Sequence, residues 1–334
     1  MARDGRATTE RPGPGRAGSA AVEYRGRFAP SPSGELHFGS LVAAVGSFLD
    51  ARAAGGRWRV RIEDLDPPRE RPGAADAILR TLEILHLHWD GDVVRQSTRG
   101  AAYEQALARL EAAGCLRPCR CSRSALAALA ENRNRPAGEE LFHPGHCLPD
   151  AGDPAPGSAL RLRVRPGPVD FVDRVQGPGR LDVAATGGDF VLRRRDGLYA
   201  YQLAVVIDDA WQEITHVVRG ADLLTSTPRQ RLLQEALGLP TPAYLHLPLA
   251  VDDRGRKLSK SADAPAAARG APGAVLANVL EFLRQPPPPE LSGAGAAEVL
   301  GWAVAHWRPE AFAGVLAQPV TARKDTAESR NGNP

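Results

Sequence analysis

The sequence contains very little lysine and very little cysteine. Among 334 residues, 42 are basic, yet only three of these are lysine. Four cysteines in a chain of this length exclude the disulfide framework of a small secreted domain and favour the cytoplasm. No apolar run approaches the ~18 residues that a membrane-spanning helix needs, so we expect no membrane partner.

The net charge is also small, at +3, which excludes strong attraction of the whole surface to nucleic acid. Any contact with RNA must therefore come from a local basic patch. The segment 1–24 carries acidic residues and has no apolar core, which argues against a secretory signal or a transit peptide. We expect residues 1–24 and 321–334 to be disordered.

Two of the three lysines lie together in Lys257-Leu258-Ser259-Lys260. Lysine offers a compact and mobile point charge, whereas arginine offers a planar fork. The phosphates of ATP in a transition state are a suitable target for such a charge. We predict catalytic roles for Lys257 and Lys260 and an ATP contact for Ser259; the alternative is chance clustering on a solvated loop.

A second element, residues 27–40, places His37 and Gly39 at the predicted start of a helix. The N-terminus of a helix presents free N–H groups to phosphates. We predict that His37 contacts ATP and acts in catalysis, and that Gly39 leaves room for the nucleotide. The alternative is an ordinary strand–turn–helix; neither common glycine-rich phosphate motif occurs in the sequence.

Alternation and helical periodicity predict strands and helices in turn, which indicates a parallel sheet. The predicted strands are 58–62, 214–218 and 245–251, and residues 190–206 are predicted to form a β-hairpin. The predicted helices are 40–54, 101–113, 227–237, 274–283 and 296–307.

Three of the four cysteines fall in a proline-rich segment that looks like an insertion. Cys119, Cys121, His143 and Cys147 form a plausible tetrahedral set for one structural Zn²⁺ ion. Cys115 and His146 are rival ligands, and four unlinked thiols are the alternative. The predicted division of the chain is a nucleotide-binding half 25–115, a zinc-binding insertion 116–185, a second catalytic half 186–262 and a helical segment 263–320.

Residues 27–40 and 257–261 resemble the HIGH and KMSKS signatures of class I aminoacyl-tRNA synthetases, and the first resembles the glutamyl branch in particular. The resemblance continues through residues 61–69, 196–224 and 244–250. It implies an α/β fold with a Rossmann-like parallel sheet, a zinc-bearing insertion and a short helical C-terminal segment.

The resemblance also implies glutamate-binding residues, which are Arg27, Phe28, Ala29, Pro30, Ser31, Glu63, Tyr201 and Arg219, and it places Lys260 on ATP with Mg²⁺. The chemistry is consistent with these roles. Guanidinium groups suit the carboxylates of glutamate, an acid suits its ammonium group, and a tyrosine hydroxyl can donate a hydrogen bond. The alternative for any one of these charged residues is a surface ion pair.

Only residues 261–334 follow Lys260, too few for the anticodon-binding region of a complete glutamyl-tRNA synthetase. The chain therefore resembles the shortened paralogues, the glutamyl-Q tRNA(Asp) synthetases. This resemblance implies a protein that uses ATP to activate L-glutamate and transfers it to queuosine in tRNA(Asp); we expect it to be a cytoplasmic monomer. Alternatives are charging of a tRNA 3′ end, a tRNA-free ligase or nucleotidyltransferase, and a non-catalytic zinc-bearing RNA-binding protein.

Overall fold

A computed structural model describes residues 23–133, 141–147, 157–252, 254–256 and 270–320. Within them the strands are β1 (Arg25–Phe28), β2 (Arg57–Ile62), β3 (Val94–Arg95), β4 (Leu116–Cys119), β5 (Ala159–Leu162), β6 (Pro168–Asp173), β7 (Gly177–Asp182), β8 (Phe190–Arg193), β9 (His216–Gly220), β10 (Ala243–Leu247), β11 (Leu249–Val251) and β12 (Ala317–Pro319). The helices are α1 (Phe38–Ala53), α2 (Ala74–Ile84), α3 (Gly100–Ala112), α4 (Arg123–Ala127), α5 (Val183–Thr186), α6 (Tyr201–Trp211), α7 (Ser226–Leu237), α8 (Pro272–Phe282) and α9 (Ala296–Ala305).

The centre of the fold is a parallel sheet, as the alternating pattern predicts. Strand β2 pairs in parallel with β1 and with β3, and β10 pairs in parallel with β9 and with β6. The two groups meet where the Thr215 N–H donates to the Arg25 carbonyl at 2.9 Å. Only β7, at one edge, runs antiparallel to its neighbour β6 in this part of the described chain.

Helix α1 packs closely against this sheet and forms the middle of the main core. A Cβ atom at Gly46 would lie 2.7 Å from Leu247 Cδ1, so glycine permits the close approach of α1 to β10. Leu276 and Leu280 of α8 and Val299 of α9 belong to the same buried cluster as residues of α1. The helices that follow the second signature therefore complete the core around α1 and the parallel sheet.

Strands β4, β5 and β8 form a separate antiparallel sheet beside a second buried cluster. Strand β6 pairs with β10 and thus lies in the central sheet, although the predicted insertion extends to residue 185. The predicted domain boundaries remain predictions.

The predicted hairpin 190–206 is wrong in its second half. Arg193 bridges to Tyr199, but α6 begins at Tyr201 and continues to Trp211. Residues 203–206 are all buried, and a short continuous apolar run is compatible with a buried helix as well as with a strand. None of the helices in the described ranges has the length and apolar character to cross a bilayer.

Candidate active site

A cavity of about 540 Å³ opens at the carboxyl ends of the parallel strands, where α/β sheets place their ligands. It gathers every predicted glutamate- or ATP-site residue that the structure describes. These are Arg27, Phe28, Ala29, Pro30, Ser31, His37, Gly39, Glu63, Tyr201 and Arg219. The remaining predicted residues, Lys257, Ser259 and Lys260, lie outside the described residues.

The N-terminus of α1 forms one wall of this cavity. His37 caps the helix, and its Nδ1 accepts the Ser40 N–H at 3.3 Å. A Cβ atom at Gly39 would lie 3.2 Å from His37 Cε1, so the glycine makes room for the imidazole ring itself. The first turn contains no acidic residue, which leaves the positive end of the helix available to an anion.

A buried cluster of alternating charge forms the floor. Arg27 donates through Nε and Nη2 to the two carboxylate oxygens of Asp209, both at 3.1 Å. Arg61 Nη1 lies 2.8 Å from Asp209 Oδ1, and its Nη2 donates to Glu63 Oε1 at 3.4 Å. Two guanidinium groups are thus balanced by two carboxylates, and Glu63 is the carboxylate that lines the cavity.

The two carboxylates of this cluster respond differently to their surroundings. Burial opposes ionisation of Asp209, but Arg27 and Arg61 outweigh burial and hold the pKa of Asp209 below its usual value. Burial raises the pKa of Glu63 above its usual value, although Arg61 and Arg27 act in the opposite direction. Asp209 is therefore a firm counter-ion, whereas Glu63 would be stabilised as an anion by a further cation in the cavity.

Arg219 occupies the opposite wall, and each of its five N–H groups has an acceptor. Three acceptors are buried side chains, namely His246 Nε2 at 3.0 Å, Gln230 Oε1 at 2.8 Å and Thr227 Oγ1 at 2.9 Å. Two acceptors line the cavity and lie further away, namely the Tyr201 hydroxyl and the Leu223 carbonyl, both at 3.3 Å. Nη1 and Nη2 each supply one of these longer contacts, so the two terminal nitrogens hold their weaker bonds on the cavity side.

Behind Arg219 lies a pair that the sequence reasoning missed. His246 Nδ1 lies 2.6 Å from Asp173 Oδ2, and both side chains are fully buried. Burial lowers the pKa of His246, and the hydrogen bond to Asp173 only partly offsets this effect. Burial opposes ionisation of Asp173, but the bond to His246 and two backbone N–H groups hold its pKa below the usual value. A neutral imidazole therefore faces an ionised carboxylate.

Sequence reasoning also missed Asp209. The signal available in the sequence was an unusual one: Asp208 and Asp209 interrupt the apolar part of α6. Buried acids are rare unless they are paired, and this one is paired with two arginines.

The predicted metal ligands do not line this cavity, and three of them form a cluster of their own. One ligand atom each from Cys119, Cys121 and His143 lies within 4.8 Å of the others, and all three residues are buried. Cys119 Sγ is 3.2 Å from His143 Nε2. Burial lowers the pKa of His143 to about 4, so the imidazole is neutral near pH 7, as a metal ligand must be.

Cys147, Cys115 and His146 are placed less favourably for binding a metal with this cluster. Cys147 packs beside Cys119 and Cys121, but its Sγ lies 3.8 Å from the Pro118 carbonyl and is not part of the close group. Cys115 packs at the edge of the second core, with Sγ 3.6 Å from the Ala113 carbonyl. His146 is exposed. The structure thus brings together three of the four predicted ligands.

Gly188 fixes the loop that supplies His143. The His143 N–H donates to the Gly187 carbonyl at 3.0 Å, and a Cβ atom at Gly188 would lie 1.7 Å from the His143 carbonyl oxygen. Gly188 also has a φ of 66°, a conformation that favours glycine. The close contact between the His143 loop and the segment that leads into β8 therefore requires glycine at position 188.

Comparison with known proteins agrees with this geometry. The family model for tRNA synthetases class I (E and Q), catalytic domain, matches residues 23–268. A relative from Ectopseudomonas mendocina, described as a glutamyl-Q tRNA(Asp) synthetase, is 55% identical over 284 residues, which are 85% of this chain and 93% of the relative. One of the same description from Thiobacillus denitrificans is 52% identical over 298 residues, 89% of this chain and 97% of the relative.

A solved structure of a glutamate-tRNA synthetase from Elizabethkingia anophelis superposes with a TM-score of 0.70 at 25% identity. The match covers 86% of this chain but only 66% of that synthetase. The sequence relatives, in contrast, are matched over nearly their whole length. The chain belongs to the class I tRNA synthetases (E and Q) and, within them, to the glutamyl-Q tRNA(Asp) synthetase family.

Proposed function

We propose that this chain uses ATP to activate L-glutamate as glutamyl-adenylate and transfers the glutamyl group to queuosine at the wobble position of tRNA(Asp). The relatives at 52% and 55% identity are described as glutamyl-Q tRNA(Asp) synthetases, and this chain matches 97% and 93% of their lengths. The observation that carries the proposal is a cavity that Arg27, Arg219, Glu63 and the N-terminus of α1 line together.

The cavity offers a complement for each charged group of glutamate. The side-chain carboxylate would take the two N–H groups of Arg219 that now make the longest contacts, and would replace both the Tyr201 hydroxyl and the Leu223 carbonyl as their acceptors. The ammonium group would lie against Glu63, whose ionised form needs such a partner because burial raises its pKa. The α-carboxylate is then the group left to react.

Activation joins an oxygen of that carboxylate to the α-phosphorus of ATP and breaks the bond to pyrophosphate. The first turn of α1, with His37, would receive the phosphates. Lys257 and Lys260 are proposed to stabilise the charge that develops on them. Mg²⁺ bound with ATP would neutralise further phosphate charge.

In the transfer step a hydroxyl oxygen of the queuosine ring attacks the carbonyl carbon of the anhydride, and AMP leaves. An ester bond forms and the carbonyl–phosphate bond breaks. The proton of the hydroxyl passes to the departing AMP phosphate or to solvent. The residues described around the cavity supply orientation and charge stabilisation for this step.

We also propose that one Zn²⁺ ion is held by Cys119, Cys121 and His143, with Cys147 as the predicted fourth ligand. Ligand atoms of a tetrahedral zinc site with bonds of about 2.0–2.3 Å lie about 3.5 Å apart. The distance of 3.2 Å from Cys119 Sγ to His143 Nε2 is close to this value, and Cys121 Sγ lies within 4.8 Å of Cys119 Sγ and of a ring nitrogen of His143. The ion would stabilise the insertion and leave no open position for catalysis.

The test of the proposed function is transfer of labelled glutamate, with ATP and Mg²⁺, to purified tRNA(Asp) that contains or lacks queuosine. Label should enter only the queuosine-containing tRNA, and it should still enter when the 3′-terminal adenosine has been removed. Label that enters tRNA(Glu) and needs the terminal adenosine would instead indicate ordinary aminoacylation.

A further inference from the structure

The orientation of Arg219 depends on a buried chain of three side chains from three strands. Asp173 ends β6, Arg219 lies in β9 and His246 lies in β10, between them. His246 contacts Asp173 through Nδ1 at 2.6 Å and Arg219 through Nε2 at 3.0 Å. His246 and Asp173 do not line the cavity, whereas Arg219 does.

Only one form of His246 satisfies both contacts. Asp173 is an ionised acceptor, so Nδ1 must carry the proton. Nε2 then has a free lone pair, which accepts the Nε–H of Arg219. If Nε2 were protonated instead, two N–H donors would face each other in a buried place, and His246 would compete with Arg219 for the Leu223 carbonyl.

Asp173 in turn cannot rotate freely. Its Oδ1 accepts the backbone N–H groups of Val175 at 3.1 Å and Gln176 at 2.9 Å, which leaves Oδ2 for His246. The backbone turn after β6 thus fixes the carboxylate, the carboxylate fixes the imidazole tautomer, and the imidazole fixes one edge of the guanidinium group.

The other contacts of Arg219 complete the orientation. Gln230 and Thr227 hold one N–H each of Nη1 and Nη2, and the Arg219 guanidinium carbon lies 5.2 Å from the centre of the Tyr244 ring. With the Nε edge, one face and two N–H groups held in the interior, the remaining two N–H groups point to acceptors on the cavity wall.

We propose that His246, with its tautomer set by Asp173, is a positioning residue that presents two N–H groups of Arg219 to the side-chain carboxylate of the substrate. The proposal rests on the proposed function, because it takes glutamate as that substrate. It assigns His246 and Asp173 a role in glutamate recognition through Arg219, without contact with glutamate or ATP.

The decisive variant is Asp173→Asn, which keeps shape but reverses the tautomer. Because Oδ1 must still accept two backbone N–H groups, the new NH₂ group faces His246 and donates to Nδ1. Nε2 then becomes protonated and opposes Arg219. We expect the KM for glutamate to rise roughly tenfold or more, the effect of losing one hydrogen bond to a charged group, with the KM for ATP nearly unchanged.

The control is His216→Gln on β9, the strand that also carries Arg219. His216 stacks on Tyr24 and does not line the cavity, so neither KM should change. Kinetics are measured as glutamate-dependent exchange of pyrophosphate into ATP. The ¹⁵N chemical shifts of the His246 ring provide a second readout. They should show the proton on Nδ1 in the wild type and on Nε2 in Asp173→Asn.

An unchanged KM for glutamate in Asp173→Asn, or equal rises for glutamate and ATP, would overturn the proposal. If this variant does not fold, His246→Leu is compared with His246→Gln, which retains an acceptor for Arg219. A larger glutamate KM in the leucine variant supports the proposal, and equal values overturn it. Failure of the proposed function would look different, because the wild-type chain would then show no glutamate-dependent exchange.

Discussion

The strongest single test of the buried charge cluster is Asp209→Asn. Asp209 accepts two hydrogen bonds from Arg27 at 3.1 Å and contacts Arg61 at 2.8 Å, and both arginine side chains are almost completely buried. Asparagine keeps the size of the side chain but removes its charge. Two buried guanidinium groups would then share Glu63 as their remaining carboxylate within this cluster.

Removal of one partner of a buried ion pair costs about 3–5 kcal/mol. Asparagine retains one oxygen acceptor, so we expect a loss near the lower end, about 3 kcal/mol, and a melting temperature roughly 5–10 °C lower. The matched control is Asp196→Asn, which breaks an exposed pair with Arg194 and should cost at most about 1 kcal/mol.

The assay is thermal unfolding followed by circular dichroism at several pH values. The folded-state pKa of Asp209 is lowered, so its contribution to stability is complete above the unfolded pKa of about 3.9 and is lost as the pH falls through the lower folded value. The difference between wild type and Asp209→Asn should therefore be full near pH 7 and shrink below about pH 4. An Asp209→Asn variant as stable at pH 7 as Asp196→Asn would refute this reasoning.

Four further predictions concern the cavity and the proposed zinc site. Glu63→Gln should raise the KM for glutamate roughly tenfold or more and leave that for ATP nearly unchanged, whereas equal rises would contradict the ammonium contact. Because burial raises the pKa of Glu63 above its usual 4.5, wild-type affinity for glutamate should fall as the pH drops through that raised value, and Glu63→Gln should not show this component. Lys260→Ala should retain the wild-type melting temperature but form adenylate about 10²–10³-fold more slowly; unchanged formation would remove Lys260 from the ATP site. Cys121→Ser should reduce the zinc bound per chain, measured by elemental analysis, and lower the melting temperature, and an unchanged zinc content would contradict its assignment as a ligand.

Much of the cavity could be predicted because its residues lie at the ends of strands. Arg27 is the penultimate residue of β1, Glu63 directly follows β2, and Arg219 is the penultimate residue of β9. Carboxyl ends of parallel strands meet at one edge of the sheet, so a correct parallel topology is enough to bring such residues together.

The buried residues that hold these cavity-lining side chains in place could not be predicted in the same way. Asp209 meets Arg27 across 182 positions of sequence, and Asp173 meets His246 across 73. Each pair forms only when a helix or a strand packs in its final register, which sequence periodicity does not specify. A buried acid in an apolar helix signals that a partner exists but not which residue it is.

The start of α6 shows a different limit. The turn at Asp196-Gly197 and the alternation before it favour a hairpin, and the structure retains one bridge of it, from Arg193 to Tyr199. The helix that begins at Tyr201 is buried on most of its surface, so it has no polar stripe to reveal its period. Tyr201, which the family resemblance implies as a glutamate-binding residue, nevertheless lines the cavity, because it is the first residue of α6 and that end of the helix lies at the cavity.

The most direct test of the whole account is a crystal structure of the chain with a non-hydrolysable glutamyl-adenylate analogue. The account predicts that the side-chain carboxylate binds both terminal nitrogens of Arg219, that the ammonium group contacts Glu63, and that the phosphate lies at the N-terminus of α1. The contact between Arg219 and His246 should remain at its present 3.0 Å. An analogue bound with its side-chain carboxylate away from Arg219, or bound outside this cavity, would contradict the account.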